Sequence, residues 1–178
     1  MSTKRLLLTI LTIAVTLNSK SMNHKPMIEH QLSASDSIIL TDDYTALEVV
    51  KTRTGHITTT ILVNGKPCVF LIDTGGGATL IDKTKKNHFG LTTNKTSNYA
   101  AGIGSVSSLV STKATLQVNG KTIKFDDLFL MDISYINAEF KKNRAKQVDG
   151  VIGTDFLEQH KAIIDYSRSK LYLKLRTK

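Results

Sequence analysis

The chain has 178 residues, is 40% hydrophobic and 22% charged, and carries a formal net charge of +9. That length holds one domain with room for a tail, and that composition suits a globular rather than a disordered chain. Aromatic residues make up only 6% and Trp is absent, so the apolar mass comes from Ile, Leu and Val, which favours strands.

The N-terminus opens with Lys4 and Arg5, continues through the apolar stretch Leu6–Leu17, and passes into Ser19, Lys20 and Ser21. This is the basic, apolar and small-residue order of a secretory signal. As a helix such a stretch spans ~18 Å, short of the ~30 Å hydrocarbon core of a bilayer. Residues 1–21 are therefore expected to be a signal peptide, and the protein to be periplasmic or secreted. No Ala-x-Ala cleavage pattern follows, so an uncleaved anchor that leaves the domain facing the periplasm stays open. Residues 22–43 are mixed and polar and read as a linker, with the ordered domain at 44–178.

Strand patterns follow one another from there. Ala46–Lys51 and His56–Val63 alternate in part, and Asn64-Gly65 is a strong hairpin signal because a type I′ turn needs positive φ twice. Cys68–Asp73 is apolar almost throughout, which predicts cover on both faces. Cys68 is the single cysteine, excludes an intrachain disulfide, and reads as a packed hydrophobe rather than a nucleophile. Ala78–Ile81 starts the next element, polar residues fill Thr92–Asn98, and Tyr99–Ser105 is a Gly-rich tip flanked by strand-like Ser107–Ala114.

An echo then appears. Ile61-Leu62-Val63-Asn64-Gly65-Lys66 is matched by Leu116-Gln117-Val118-Asn119-Gly120-Lys121, and each copy precedes an apolar strand ending in Asp, at Asp73 and Asp132. Two readings stay open: coincidence of two Asn-Gly hairpins, or a pseudo-symmetric β domain. Ala138–Gln147 is strongly basic and reads as a loop or a short helix. Val151-Ile152-Gly153 is a buried strand ending in Gly, after which Thr154 or Asp155 caps a short helix through Glu158 and His160. Ala162–Asp165 and Lys170–Leu175 form a closing hairpin.

The basic clusters at Lys83-Lys85-Lys86, Lys141-Lys142-Arg144-Lys146 and Lys170–Lys178 lack interleaved aromatics and any helix-turn-helix, zinc-finger or RNA-recognition pattern. They read as solvated faces, with no nucleic-acid partner. His24, His30, His56, His88 and His160 show no metal-ligand spacing and are expected at the surface. No Gly-x-Ser-x-Gly elbow is present, and the Gly run at 75–77 is not followed by Lys-Ser/Thr as a phosphate loop requires. Asp149 and Asp155 are expected to cap or turn the chain locally; the alternative is a direct catalytic role, with Asp155 serving as a second acid within one chain. Asp82 is expected at the surface, and Asp126, Asp127 and Asp132 at turns and strand ends.

The chemistry concentrates at Asp73-Thr74-Gly75-Gly76-Gly77. A lone carboxylate at the end of a buried strand is costly unless its charge is shared or hydrogen-bonded, and one held this way suits acid/base work. On its own, the triplet Asp-Thr-Gly is also an ordinary turn.

Three segments in order carry a resemblance: Leu71-Ile72-Asp73-Thr74-Gly75, the tip Gly102-Ile103-Gly104, and Val151-Ile152-Gly153 before a short helix. From about Thr58 to Leu173 the chain resembles the retropepsin-like aspartic proteases, the single-lobe relatives of pepsin. The closing Asp155-Phe156-Leu157 and Ala162–Leu173 segments resemble the bacterial exported branch. The resemblance implies an all-β fold with one short helix, a closed acid-protease-like barrel forming a single lobe. It implies an aspartic endopeptidase acting on polypeptides as a homodimer, with Asp73 catalytic and Thr74 and Gly75 supporting the loop. It places Gly76, Gly77, Gly102, Ile103, Gly104, Val151 and Ile152 at substrate, and calls for no cofactor and no metal. Gly76 departs from the family's usual Ala. Gly77 and Ala78 stand where some viral members are acidic, and Thr154 where they carry Arg. The glycine run also keeps open a non-catalytic peptide-binding or adhesion module on the same fold.

Overall fold

A computed structural model describes residues 44–101 and 105–175. The expected signal segment, the linker, and the tip Gly102-Ile103-Gly104 lie outside the described residues.

The described chain opens with β1 (Tyr44–Glu48) and β2 (Val50–Lys51) and then forms a hairpin of β3 (Ile57–Val63) and β4 (Lys66–Ile72). After β5 (Leu80–Asp82) and a short 3₁₀ turn come β6 (Thr93–Ala101), β7 (Ser105–Val118) and β8 (Lys121–Met131). Helix α1 (Ser134–Lys142), β9 (Gly150–Ile152), helix α2 (Thr154–Gln159), β10 (Ile163–Asp165) and β11 (Lys170–Lys174) complete it. The mostly-β expectation holds, but α1 is a helix beyond the single one expected. Strand β6 also runs through Thr93–Asn98, where the polar sequence gave no strand signal. Its backbone pairs with β7 from Thr93 opposite Thr112 to Ala101 opposite Ser105, with one register shift between Thr93 and Lys95, and this ladder needs no apolar side chain.

Both Asn-Gly pairs form the predicted tight turns. Asn64 and Gly65 have φ of 48° and 80°, and Asn119 and Gly120 have 46° and 78°. Six strands run in the order β3-β4-β9-β5-β8-β7, and β3 pairs β7 as well, with Leu62 opposite Gln117 and Val63 opposite Leu116. The sheet therefore closes on itself as a barrel, which leaves those six strands without a free edge. A separate three-stranded sheet has the order β1-β11-β10.

The sequence echo is structural. Strand β4 lies parallel to β9, β8 lies parallel to β5, and β5 and β9 run antiparallel between them. Each hairpin thus pairs its second strand with the element that follows the other hairpin. This is pseudo-twofold exchange rather than coincidence.

Burial explains the continuous apolar runs. Phe70, Ile72, Ile81, Leu128, Leu130 and Ile152 face the main core. Their strand neighbours Leu71, Leu80, Met131 and Val151 face a second cluster with Ile133, Val148 and Phe140 of α1. Strands around β4 and β9 are covered on both faces, as parallel pairs commonly are. Cys68 is fully buried, consistent with a packed small hydrophobe.

Candidate active site

Strand β4 ends at Ile72, and the next residue, Asp73, emerges exposed. Its N–H donates to the carbonyl of Ile152 at 3.0 Å, so the parallel β4–β9 ladder continues one residue past the strand and fixes where the side chain leaves the sheet. The carboxyl Oδ1 accepts the Gly75 N–H at 2.9 Å. A Cβ on Gly76 would stand 3.1 Å from Oδ2 and 3.3 Å from Cγ, so the missing side chain keeps the far oxygen clear. Among the described residues no cation pairs with this acid.

The pseudo-twofold places Asp132 in the matching position after β8, and Asp132 Oδ1 accepts the Ser134 N–H at 2.9 Å just as Asp73 does from Gly75. The two acids differ in company. Lys83 Nζ lies 2.9 Å from Asp132 Oδ2. Hydrogen bonds from the Ser134 side chain and N–H, then Lys83, hold the Asp132 carboxyl well below the usual carboxylate range. Asp132 is a neutralised strand-end group, and Asp73 is left open.

The loop after Asp73 meets α2 through a set of crossed bonds. The Gly76 carbonyl accepts from the Thr154 N–H at 2.7 Å and from Thr154 Oγ1 at 3.2 Å. Thr79 N–H donates to Asp155 Oδ2 at 2.8 Å and Thr79 Oγ1 to Asp155 Oδ1 at 2.6 Å. Thr79 Oγ1 in turn accepts the Gly153 N–H at 3.1 Å. Gly153 must be glycine here, because a Cβ would meet the Ala78 backbone at 2.6 Å.

Sequence reasoning singled out Asp73 and missed Thr79 and the reach of Asp155, whose bonds span 76 residues rather than one turn. Thr79 stands two residues after the glycine run and is completely buried, and nothing local in the sequence marks its partner. Both Asp155 oxygens are engaged, so this carboxyl is not a free second acid for Asp73. Asp149 likewise does more than turn the chain: Oδ2 accepts the Val69 N–H at 3.0 Å and Oδ1 lies 3.3 Å from Lys85 Nζ.

Several expected positions resolve differently. Thr74, Gly75 and Gly77 are exposed beside Asp73, and Gly76 is half-buried. Val151 and Ile152 are only 4% and 1% exposed and pack beneath the loop. Gly102, Ile103 and Gly104 lie outside the described residues. Asp82, expected at the surface, is buried, because Oδ1 accepts both the N–H and the hydroxyl of Thr84 at 2.9 Å to cap the 3₁₀ turn. His160, also expected at the surface, is buried against Phe156, with ring centroids 4.5 Å apart.

Thr74 also lines a cavity of about 240 Å³ with Thr154, Leu157, Glu158, Lys161, Ala162 and Ile164. It lies beside the Asp73 loop and is floored by the apolar side chains of α2 and β10. Among the described residues no three His, Cys, Asp or Glu side chains gather as a metal site.

The model of the aspartyl protease family matches residues 57–156, more than half of the chain. The chain belongs to that family: its matched segment holds the barrel, the Asp73 loop and the clasp to α2. Similar solved structures include the EIAV protease complexed with the inhibitor HBY-793, at 23% identity and TM-score 0.42, covering 57% of this chain and 85% of that one. A retropepsin-like aspartic protease from Rickettsia conorii matches at 18% identity and TM-score 0.48, covering 73% and 90%. The retroviral protease-like domain of Ddi1 from Leishmania major matches at 17% identity and TM-score 0.48, covering 74% and 90%. No curated protein matches the chain.

Proposed function

We propose that this protein is an aspartic endopeptidase whose working unit is two copies, each lending Asp73 to one dyad. The observation that carries the reading is the open Asp73 carboxyl at the end of β4, held by Gly75 N–H and free of a cation among the described residues. Family membership supports the chemistry. Asp155 and Asp132 are both committed elsewhere, so neither is free to pair with Asp73 within one chain. The exposed Thr74 beside the largely apolar cavity supports a second copy meeting this face.

Two carboxyls brought to about 3 Å cannot both ionise, so the pair holds one proton and titrates as a unit. The ionised member takes a proton from a water, and the water oxygen attacks the peptide carbonyl carbon. The protonated member hydrogen-bonds the carbonyl oxygen as charge develops there. Collapse of the tetrahedral species breaks the C–N bond, and the nitrogen leaves with a proton supplied by the dyad. The extended peptide would lie as an added strand, with alternate side chains in pockets. Export to a periplasmic or extracellular space, through residues 1–21, belongs to the same proposal, as does membrane attachment should that segment stay uncleaved.

The test is cleavage of an unfolded protein at mildly acid pH, blocked by a pepstatin-type inhibitor and lost in Asp73→Asn. Sedimentation of wild type and Thr74→Ala reads the assembly. Mixed dimers of wild type with Asp73→Asn would hold one acid and should be inactive. Equal peptide binding by wild type and Asp73→Asn, with no cleavage by either, would instead establish a non-catalytic binding module.

A further inference from the structure

The loop that carries Asp73 is tied down by hydrogen bonds at several points along it. It contains three successive glycines, Gly75 to Gly77, and a Cβ on Gly77 would touch nothing within 4 Å. Glycines give a loop maximal backbone freedom, so its conformation must be fixed from outside. The fixing points fall at every third residue. Asp73 N–H bonds Ile152 O, Gly76 O takes two bonds from Thr154, and Thr79 gives two bonds to Asp155. The first is ladder continuation, and the second involves the start of α2. The third is the only one in which a carboxyl takes both a backbone N–H and a hydroxyl of the far end of the loop.

We infer that Asp155 is a positioning residue for Asp73, acting through Thr79 to set where the loop presents the Asp73 carboxyl. This deepens the protease reading and rests on it. The route is short. Thr79 is completely buried, and its hydroxyl donates to Asp155 while accepting from Gly153 N–H, so it ties the strand before α2 to the end of the loop. Between Thr79 and Asp73 the loop bears on the acid directly. Gly75 N–H donates to Asp73 Oδ1, and the Gly76 Cα faces Oδ2, where even a Cβ would sit at 3.1 Å. A slip of the loop therefore moves the donor to one oxygen and the wall beside the other. Asp155 Oδ1 also accepts the Phe156 N–H at 2.7 Å, so a purely local role at the start of α2 is the competing account.

The two accounts separate by experiment. Asp155→Asn keeps the shape but turns an amide N–H toward either Thr79 N–H or its hydroxyl. It should lower kcat about tenfold, the loss expected when a hydrogen bond to a charged group is removed. KM should stay within about twofold, and folded fraction, read by circular dichroism, should be unchanged. Thr79→Val should give the same kcat loss, Thr79→Ser should restore kcat, and the Asp155→Asn/Thr79→Val double variant should lose no more than either single one. Unchanged kcat in folded Asp155→Asn, or additive losses in the double variant, would overturn the inference in favour of local helix capping. A wild type that cleaves nothing sinks the protease reading by itself. The clasp is then read by amide exchange at Thr79 and Thr154: faster exchange at both in Asp155→Asn supports it, and unchanged exchange overturns it.

Discussion

Gly153 lies with its Cα directly against the backbone of Ala78, so a Cβ at Gly153 would stand 2.6 Å from the Ala78 carbonyl carbon and oxygen and 2.8 Å from its nitrogen. Backbone cannot rotate away as a side-chain tip can. Gly153→Ala must push the start of α2 off the Asp73 loop, breaking the Thr154–Gly76 and Asp155–Thr79 bonds together. Chemical denaturation should show a loss of at least about 1–3 kcal/mol, the usual range for overpacking. Gly77→Ala, with open space at its Cβ, should leave stability within about 0.5 kcal/mol.

Asp73 and Asp132 occupy matched ends of β4 and β8, so substitution at each asks whether position or environment makes the acid functional. Asp132 is already tied to Ser134 and Lys83. Asp132→Asn should leave peptide hydrolysis within about twofold of wild type. Asp73→Asn should remove it, a loss of at least ~10²-fold given what acid/base catalysis contributes. An equal loss from both would mean that the pseudo-twofold mate takes part in the chemistry.

Helix α1 shows why part of the fold was hidden in the sequence. It ends in a Schellman motif, with Ala145 N–H bonding Phe140 O at 2.8 Å and Arg144 N–H bonding Lys141 O at 3.0 Å. The left-handed residue is Arg144, at φ 53°, where a glycine would normally announce the stop. Without that signal, and with no side-chain cap at Ile133, the basic stretch read equally well as loop or helix. Arg144→Gly should raise stability by about 0.5–1 kcal/mol by removing the left-handed strain, measured by thermal or urea unfolding.

What the sequence did expose was local: the Asn-Gly turns, the two-sided apolar strand into Asp73, and the Val151-Ile152-Gly153 strand before a short helix. Each depends on residues within a few positions of one another. The interlocking of the two halves was legible only as an echo, because β4–β9 and β5–β8 pairing is parallel and joins segments far apart in the chain. The Thr79–Asp155 bond belongs to the same class. Asp155 as a helix-start acid is locally unexceptional, and its partner lies 76 residues away. His160 escaped for the opposite reason: a polar residue at the end of an exposed-looking helix is buried by strands the local pattern does not contain.

Cys68 faces the main core in β4, opposite Ile61 of β3, and is fully buried. Burial, and then the Asp149 carboxylate, push its thiol well above the usual range, so little thiolate forms at neutral pH. A thiol reagent should label the native protein only as fast as the barrel opens, and at a rate that tracks global stability across denaturant concentrations. Labelling within seconds in native buffer would contradict this packing.

His160 caps the end of α2, 7% exposed, with Nε2 lacking a hydrogen-bond partner among the described residues. Its ring lies against Phe156, which packs edge-on to Phe125 at 5.3 Å, while its backbone is gripped by Phe156 O and Lys174 N–H. Burial lowers its pKa from the usual 6.5, outweighing the opposing hydrogen bond between the imidazole and the Lys174 backbone. The unfolded chain therefore binds a proton before the folded one does. Stability from this group is complete above about pH 6.5 and declines as pH falls below it, by up to ~1.4 kcal/mol per pH unit until the folded imidazole also titrates. Unfolding curves from pH 7.5 to 5 should show this slope in wild type, and His160→Leu should lack it. Because α2 begins with Thr154 and Asp155, acid weakening at its far end reaches the residues that hold the Asp73 loop. His160→Leu should therefore keep the folded state, and any peptide hydrolysis that depends on it, at lower pH than wild type does.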